Sequence, residues 1–207
     1  MKKHAGICAL FVLLTAGSLA MAASAAMEAL KGPVNEMMGI LRDNQFKADG
    51  LKAVQRDRMW ELVNRIFDFN EISRRTLAAN WKRFSDKEKD EFVSAFKELL
   101  GNTYLDRVQG EFQDEQVVFL DEQTLSPDRA IVNTKIVRKA GEMPVSYALY
   151  LKDGRWWVYD VKIEDAISLV SNYRAQFERV LVNASPDKLI AQVRERAAKQ
   201  KEEKAGK

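Results

Sequence analysis

The stretch DGRWWVYDVKIEDAISLVSNYRAQF, Asp153 to Phe177, changes from a two-residue to a helical period within 25 residues and decides how the C-terminal half is read. Asp153-Gly154 is a hairpin loop of the kind that needs positive φ, so Lys152 pairs with Arg155 and the register counts outward from there. One face then carries Met143, Val145, Tyr147, Leu149 and Leu151 with Trp156 and Val158. The other carries Ser146, Ala148 and Tyr150 with Trp157, Tyr159, Val161 and Ile163, and Asp160 points away from Tyr159. An antiparallel sheet with one face in water alternates apolar and polar residues; both faces here are apolar, so both are expected to be covered. On the second face, small residues lie beside large aromatic ones. That arrangement leaves room for a guest unless a helix side chain such as Phe96 or Phe177 fills it.

Outward from this hairpin, further alternating runs at Gln116 to Asp121, Arg129 to Lys139 and Met143 to Lys152 precede the strand Arg155 to Ile163, separated by Ser126-Pro127-Asp128 and Ala140-Gly141 turns. The pattern is an antiparallel meander. Upstream, the spacing is helical. Leu30, Val34, Met37, Met38 and Leu41 recur over Glu28 to Asn44, with the regular helix expected to start near Pro33. A second helix covers Leu51 to Phe67. Asp68 with Glu71 and Ser85 with Glu88 are capping-box pairs opening two more, the first running toward Trp81. In the second, Phe92, Val93, Phe96, Leu99, Leu100, Tyr104 and Val108 recur on one face at helical spacing. The chain ends in helices from Asp165 to Val182 and from Pro186 into the charged tail.

The N-terminus has the composition of an export leader: Lys2 and Lys3, the apolar run Ile7 to Leu19, then small residues with two Ala-x-Ala sites. The run is shorter than the ~20 residues that span a bilayer. Cys8 lies at its start, whereas a lipid-modified cysteine would stand at its end. Cutting after Ala25 removes 25 of 207 residues and leaves 182, enough for one domain with a real core but not two. It also takes two lysines and no acid from 33 basic and 30 acidic residues, so 31 bases face 30 acids. This balance argues against nucleic acid as a partner, since counterion displacement needs a concentrated basic face. The single histidine and single cysteine leave with the leader. Imidazole catalysis, thiolate chemistry, disulfides and the common zinc and copper sites are thereby excluded from the mature chain.

Three blocks together, FDFNEISRRTLAANW (Phe67 to Trp81), FVSAFKELLGNTY (Phe92 to Tyr104) and WWVYDVKIEDAISLVSNYRAQF (Trp156 to Phe177), resemble the periplasmic phospholipid-binding component of the Mla lipid-transport system, the toluene-tolerance auxiliary family. The match in order and spacing covers nearly all the mature chain. It implies an α/β (α+β) fold, helices around a curved four-stranded antiparallel sheet with the outline of cone-shaped NTF2-like proteins. It further implies a non-enzymatic periplasmic carrier with phospholipid as cargo and no cofactor. Such a carrier acts as a monomer between an outer-membrane lipoprotein–porin complex and the lipid-binding subunit of an inner-membrane ABC transporter. One departure is local: members of that family usually have a glycine after the acid that closes the last strand, whereas Asp165 and Ala166 follow Glu164 here. A relative associated with hopanoid synthesis shares this pattern, which keeps a hopanoid or other lipid as an alternative cargo.

The residues expected to line an acyl-chain cavity are Tyr104 and Val108 on the long helix, Ala148, Tyr150, Trp157, Tyr159 and Val161 on the sheet, and Ile167, Val170, Tyr173 and Phe177 on the returning helix. The last four share one helical face. Asp160 and Arg174 are set to pair with each other or to meet a head group. Two rival readings are an enzyme using Asp160 with Tyr159 or Tyr173, and a periplasmic adaptor or chaperone whose apolar surface holds partner segments.

Overall fold

The Asp153-Gly154 loop adopts positive φ at both residues, 52° and 74°, and sets Lys152 opposite Arg155. In a computed structural model, which describes residues 16–205 apart from Asp49 and residues 165–167, this loop joins the last two strands of a meander. The strands are β1 (Gln116–Ser126), β2 (Arg129–Arg138), β3 (Gly141–Lys152) and β4 (Arg155–Ile163), in the order 1-2-3-4 and antiparallel throughout. Bulges fall in β1, at Phe119/Asp121 and Thr124/Ser126. Another falls in β4, where Asp160 faces Ala148, Val158 faces Leu149 and Tyr159 is the extra residue. Bulges bend a strand and increase its twist, which curves the sheet.

Helices α1 (Ala16–Arg42), α2 (Lys52–Ile66), α3 (Phe69–Leu77) and α4 (Asp86–Leu100) precede the sheet, and α4 continues through a π-turn (Gly101–Leu105) into α5 (Asp106–Glu111). Helices α6 (Leu169–Leu181) and α7 (Pro186–Ala205) follow it. The Ser85 box forms in both directions: Glu88 N–H donates to the Ser85 side chain, and the Glu88 carboxylate accepts from Ser85 N–H at 2.8 Å. The Asp68 box forms in one. Asp68 accepts from Glu71 N–H at 2.9 Å, but the Glu71 carboxylate turns to Arg74 and Arg75 at 2.7 Å instead. The helix expected to start at Pro33 starts earlier, and Pro33 lies within it, at the loss of one helix hydrogen bond. α3 ends at Leu77 and a 3-10 turn carries the chain to Arg83. The expected start of the returning helix at Asp165 lies outside the described residues; Ser168 caps α6, accepting from Ser171 N–H at 3.1 Å.

Three apolar clusters hold these elements. The helical one packs α3, α4, α6 and α7 around Phe92, Phe96, Tyr173 and Phe177. A second lies between the sheet and α1, and a third between α1, α2 and the π-turn at Leu41, Met59 and Leu105. Phe67, at the α2–α3 junction, belongs to the first two clusters at once. Its position is fixed by a bridge to Val158 and by Asp68 N–H donating to the Val158 carbonyl at 3.0 Å.

Candidate functional site

The sheet's inner face is built from alternate residues of every strand. Val117, Phe119, Glu122, Ala130, Val132 and Thr134 come from β1 and β2; Val145, Tyr147, Leu149, Trp156, Val158 and Val161 come from β3 and β4. Ala130, Val132, Leu149 and Val158 are all but sealed from solvent. The cover over them comes from Ala25, Ala26, Met27, Ala29, Leu30 and Val34 of α1, with Ile66 and Phe67. Burial pushes the Tyr147 hydroxyl up to about 12, with a hydrogen bond to Thr134 opposing the shift. A neutral phenol and a threonine whose hydroxyl donates to the Val145 carbonyl at 3.0 Å leave this surface without charge at neutral pH. Glu122, at the β1 margin, is the exception. Burial holds its carboxyl above the usual range, against hydrogen bonds from Met27 and Ala26 N–H.

The outer face differs in kind. The Tyr150 hydroxyl donates to Asp68, and burial followed by that carboxylate pushes its pKa up. The Arg75 guanidinium lies 3.9 Å from the centre of the Tyr159 ring, and Arg155 lies 4.2 Å from the Trp157 ring. Asp160 accepts from Val170 N–H at 3.0 Å and so satisfies a first-turn donor of α6. Half-buried aromatic rings under guanidinium groups make a polar, cation-covered surface, unsuited to hydrocarbon.

The structure therefore separates the residues expected to act together. Ala148, Tyr150, Trp157 and Tyr159 share the outer face, and Asp160 joins them there instead of pointing away. Val161 moves to the inner face, opposite Tyr147. One extra residue at the Tyr159 bulge reverses the parity of everything after it. Val170, Tyr173 and Phe177 fill the helical core: Phe96 packs edge-on against Tyr173 at 4.9 Å and Phe177 at 5.3 Å between ring centres. Tyr104 borders the same cluster, its hydroxyl pushed up to about 12 chiefly by burial. Val108 is 45% exposed on α5. Ile167 lies outside the described residues. Arg174 donates to the Arg75 carbonyl at 2.7 and 3.1 Å, so its partner is a backbone oxygen and not Asp160.

The inner-face residues, Val161 apart, are not among those expected from the sequence to line a cavity. The signal was present in the uninterrupted series Val145, Tyr147, Leu149, Leu151 facing Trp156 and Val158. A cleft of about 1670 Å³ opens between the end of α1, α2, the π-turn and α5, with Leu41, Phe46, Trp60 and Phe112 in its walls. Its remaining lining includes Arg42, Asp43, Lys52, Asp57, Lys97 and Glu98. Burying hydrocarbon against so many charges would desolvate them without compensation. The cleft exceeds the ~300–1,000 Å³ usual for ligand sites but has the wrong chemistry for acyl chains.

Among the described residues, no cluster of His, Cys, Asp or Glu is placed to hold a metal ion, and no helix is long and apolar enough to cross a membrane. A profile of the MlaC protein family matches residues 31–195. The chain belongs to the MlaC protein family. Its backbone is similar to that of a phospholipid-binding protein from Ralstonia solanacearum solved in complex with a phospholipid. The two share 18% identity and a TM-score of 0.72 over 84% of this chain and 98% of that one. Comparison with curated proteins gives no match. The MlaC fold expected from the three sequence blocks, helices packed on a four-stranded antiparallel sheet, is the fold observed.

Proposed function

We propose that the mature chain is a periplasmic phospholipid carrier that holds the lipid's acyl chains on the inner face of the sheet, in the place now covered by the α1 turns from Ala26 to Val34. The observation that carries this reading is an uncharged apolar surface of Ala130, Val132, Leu149, Trp156 and Val158 roofed by alanine-rich helix. The energetic need is plain. A two-chain lipid has on the order of 30 methylenes, and at ~0.8 kcal/mol each their exposure to water would cost on the order of 20 kcal/mol. A carrier needs surface as dry as the bilayer and no reactive group.

The α1 roof supplies the other half of the requirement, which is release. Acyl chains gain the sheet's apolar face only by displacing Ala26, Leu30 and Val34, so lipid contact replaces protein contact and the net affinity is the difference. A roof that is closed most of the time lowers the apparent affinity by the fraction of open molecules. This keeps the lipid within reach of acceptor membranes instead of trapping it. The family resemblance supports an outer-membrane lipoprotein–porin complex and an inner-membrane ABC transporter's lipid-binding subunit as donors and acceptors, a monomeric carrier, and no enzymatic step or cofactor. The similarity to a phospholipid complex favours phospholipid over hopanoid as cargo.

The test is solvent extraction of protein purified from the periplasm, followed by mass spectrometry. About one phospholipid per chain is expected. An empty protein that also fails to take up labelled phospholipid from vesicles contradicts the proposal.

A further inference from the structure

We infer that Glu122 receives the chain's own processed N-terminus: once the Ala25–Ala26 bond is cut, the Ala26 ammonium pairs with the Glu122 carboxylate and pins α1 across the sheet. The inference rests on reading residues 1–25 as an export leader and deepens the role given to the α1 roof.

Met27 N–H donates to Glu122 Oε2 at 2.8 Å, and Ala26 N–H lies near enough to the same carboxylate to favour its charged form. Inside a helix, N–H groups are already donated to the carbonyl four residues back. Two consecutive N–H groups facing one carboxylate are the arrangement of a helix start. Yet α1 extends ten residues upstream, from Ala16. The second oxygen, Glu122 Oε1, is buried and has no hydrogen-bond partner among the described residues. Across the ladder Glu122 stands opposite Val132, which offers no donor. The nearby lysine, Lys31, is engaged by Glu28 at 2.7 Å. Ala26 itself is fully buried, an unusual place for a chain end unless something holds it.

A carboxylate oxygen left buried without a donor is costly, and a charge beside it with three N–H donors removes that cost. Hydrolysis supplies such a group. Water, at an endopeptidase that cuts after small residues, adds its oxygen to the Ala25 carbonyl carbon, leaving a carboxylate there and an amine on Ala26, which takes up a proton. Among the described residues of the uncut chain Glu122 Oε1 has no donor, and cutting supplies one. The roof over the lipid surface is latched only in the released protein.

The test is a thermal double-mutant cycle on protein secreted to the periplasm, its first residue fixed by intact mass. Glu122→Gln keeps the shape and the N–H contact but removes the charge. It is compared in the mature protein and in one with Gly-Ser-Gly inserted before Ala26, which carries the ammonium away. The inference expects Glu122→Gln to lower Tm by about 3 °C in the mature protein and by well under half of that in the extended one. Equal shifts in both would overturn the clamp while leaving the carrier reading to the extraction result. A mature chain that starts at another residue would overturn the clamp and the cleavage position together.

Discussion

At the residue scale, side chains that the sequence presents as a lining have structural work, and their substitution separates the two roles. A β-carbon on Gly101 would lie 2.9 Å from the Trp60 ring, and that indole is hemmed in by Phe69 at 5.8 Å. Gly101→Ala is expected to cost about 1–3 kcal/mol by overpacking, read by urea denaturation, with part recovered in combination with Trp60→Phe. Asp160 caps a helix, accepting from Val170 N–H. Asp160→Ala should lose about 1 kcal/mol through the freed Val170 N–H without changing the lipid extracted from the protein. Glu71 gives a pH dependence. Its carboxyl is held below the ordinary value, first by the Arg74 hydrogen bond and also by Arg75, against desolvation. A depressed folded pKa stabilises above the unfolded value and loses that stabilisation as pH falls through the folded one. The stability of the protein should therefore decline below the usual glutamate range, and Glu71→Gln should flatten that acid limb in denaturation curves.

At the scale of elements, what was legible in the sequence is what local chemistry dictates. Ser85 and Glu88 need only each other, and the Asp153-Gly154 loop needs only its own φ angles, so helix start and hairpin register were both readable. The Asp68–Glu71 pair was half readable, because Arg74 and Arg75 compete for Glu71. The bulge at Tyr159 has no local signature, and a single unpaired residue moved Val161 to one face and Asp160 to the other. The partners of α6 were equally hidden. Its apolar face fits either a sheet or two helices, and only tertiary packing sets Tyr173 and Phe177 against Phe92 and Phe96. Phe96→Ala should accordingly cost about 3–5 kcal/mol and leave the lipid bound per folded chain unchanged. Leu30 of the α1 roof should behave differently. Leu30→Ala opens space over Val132 and Leu149, lowering stability by about 2–5 kcal/mol while speeding uptake of fluorescent phospholipid from vesicles.

At the scale of the whole molecule, an apolar sheet face under a short alanine-rich roof divides labour with a densely packed aromatic helical core. On the proposed reading the core keeps its shape while the roof exchanges with lipid. The charged cleft beside α2 lies outside that arrangement, and its volume alone does not make it a lipid site. Photo-crosslinking distinguishes these surfaces directly. A phospholipid carrying a diazirine near the middle of one acyl chain is loaded into the secreted protein, irradiated, and its attachment mapped by peptide mass spectrometry. The account predicts adducts on Tyr147, Leu149, Val158 and the α1 turn around Leu30. Adducts concentrated instead on the outer face at Tyr150 and Trp157, or in the cleft at Trp60 and Phe112, would contradict it.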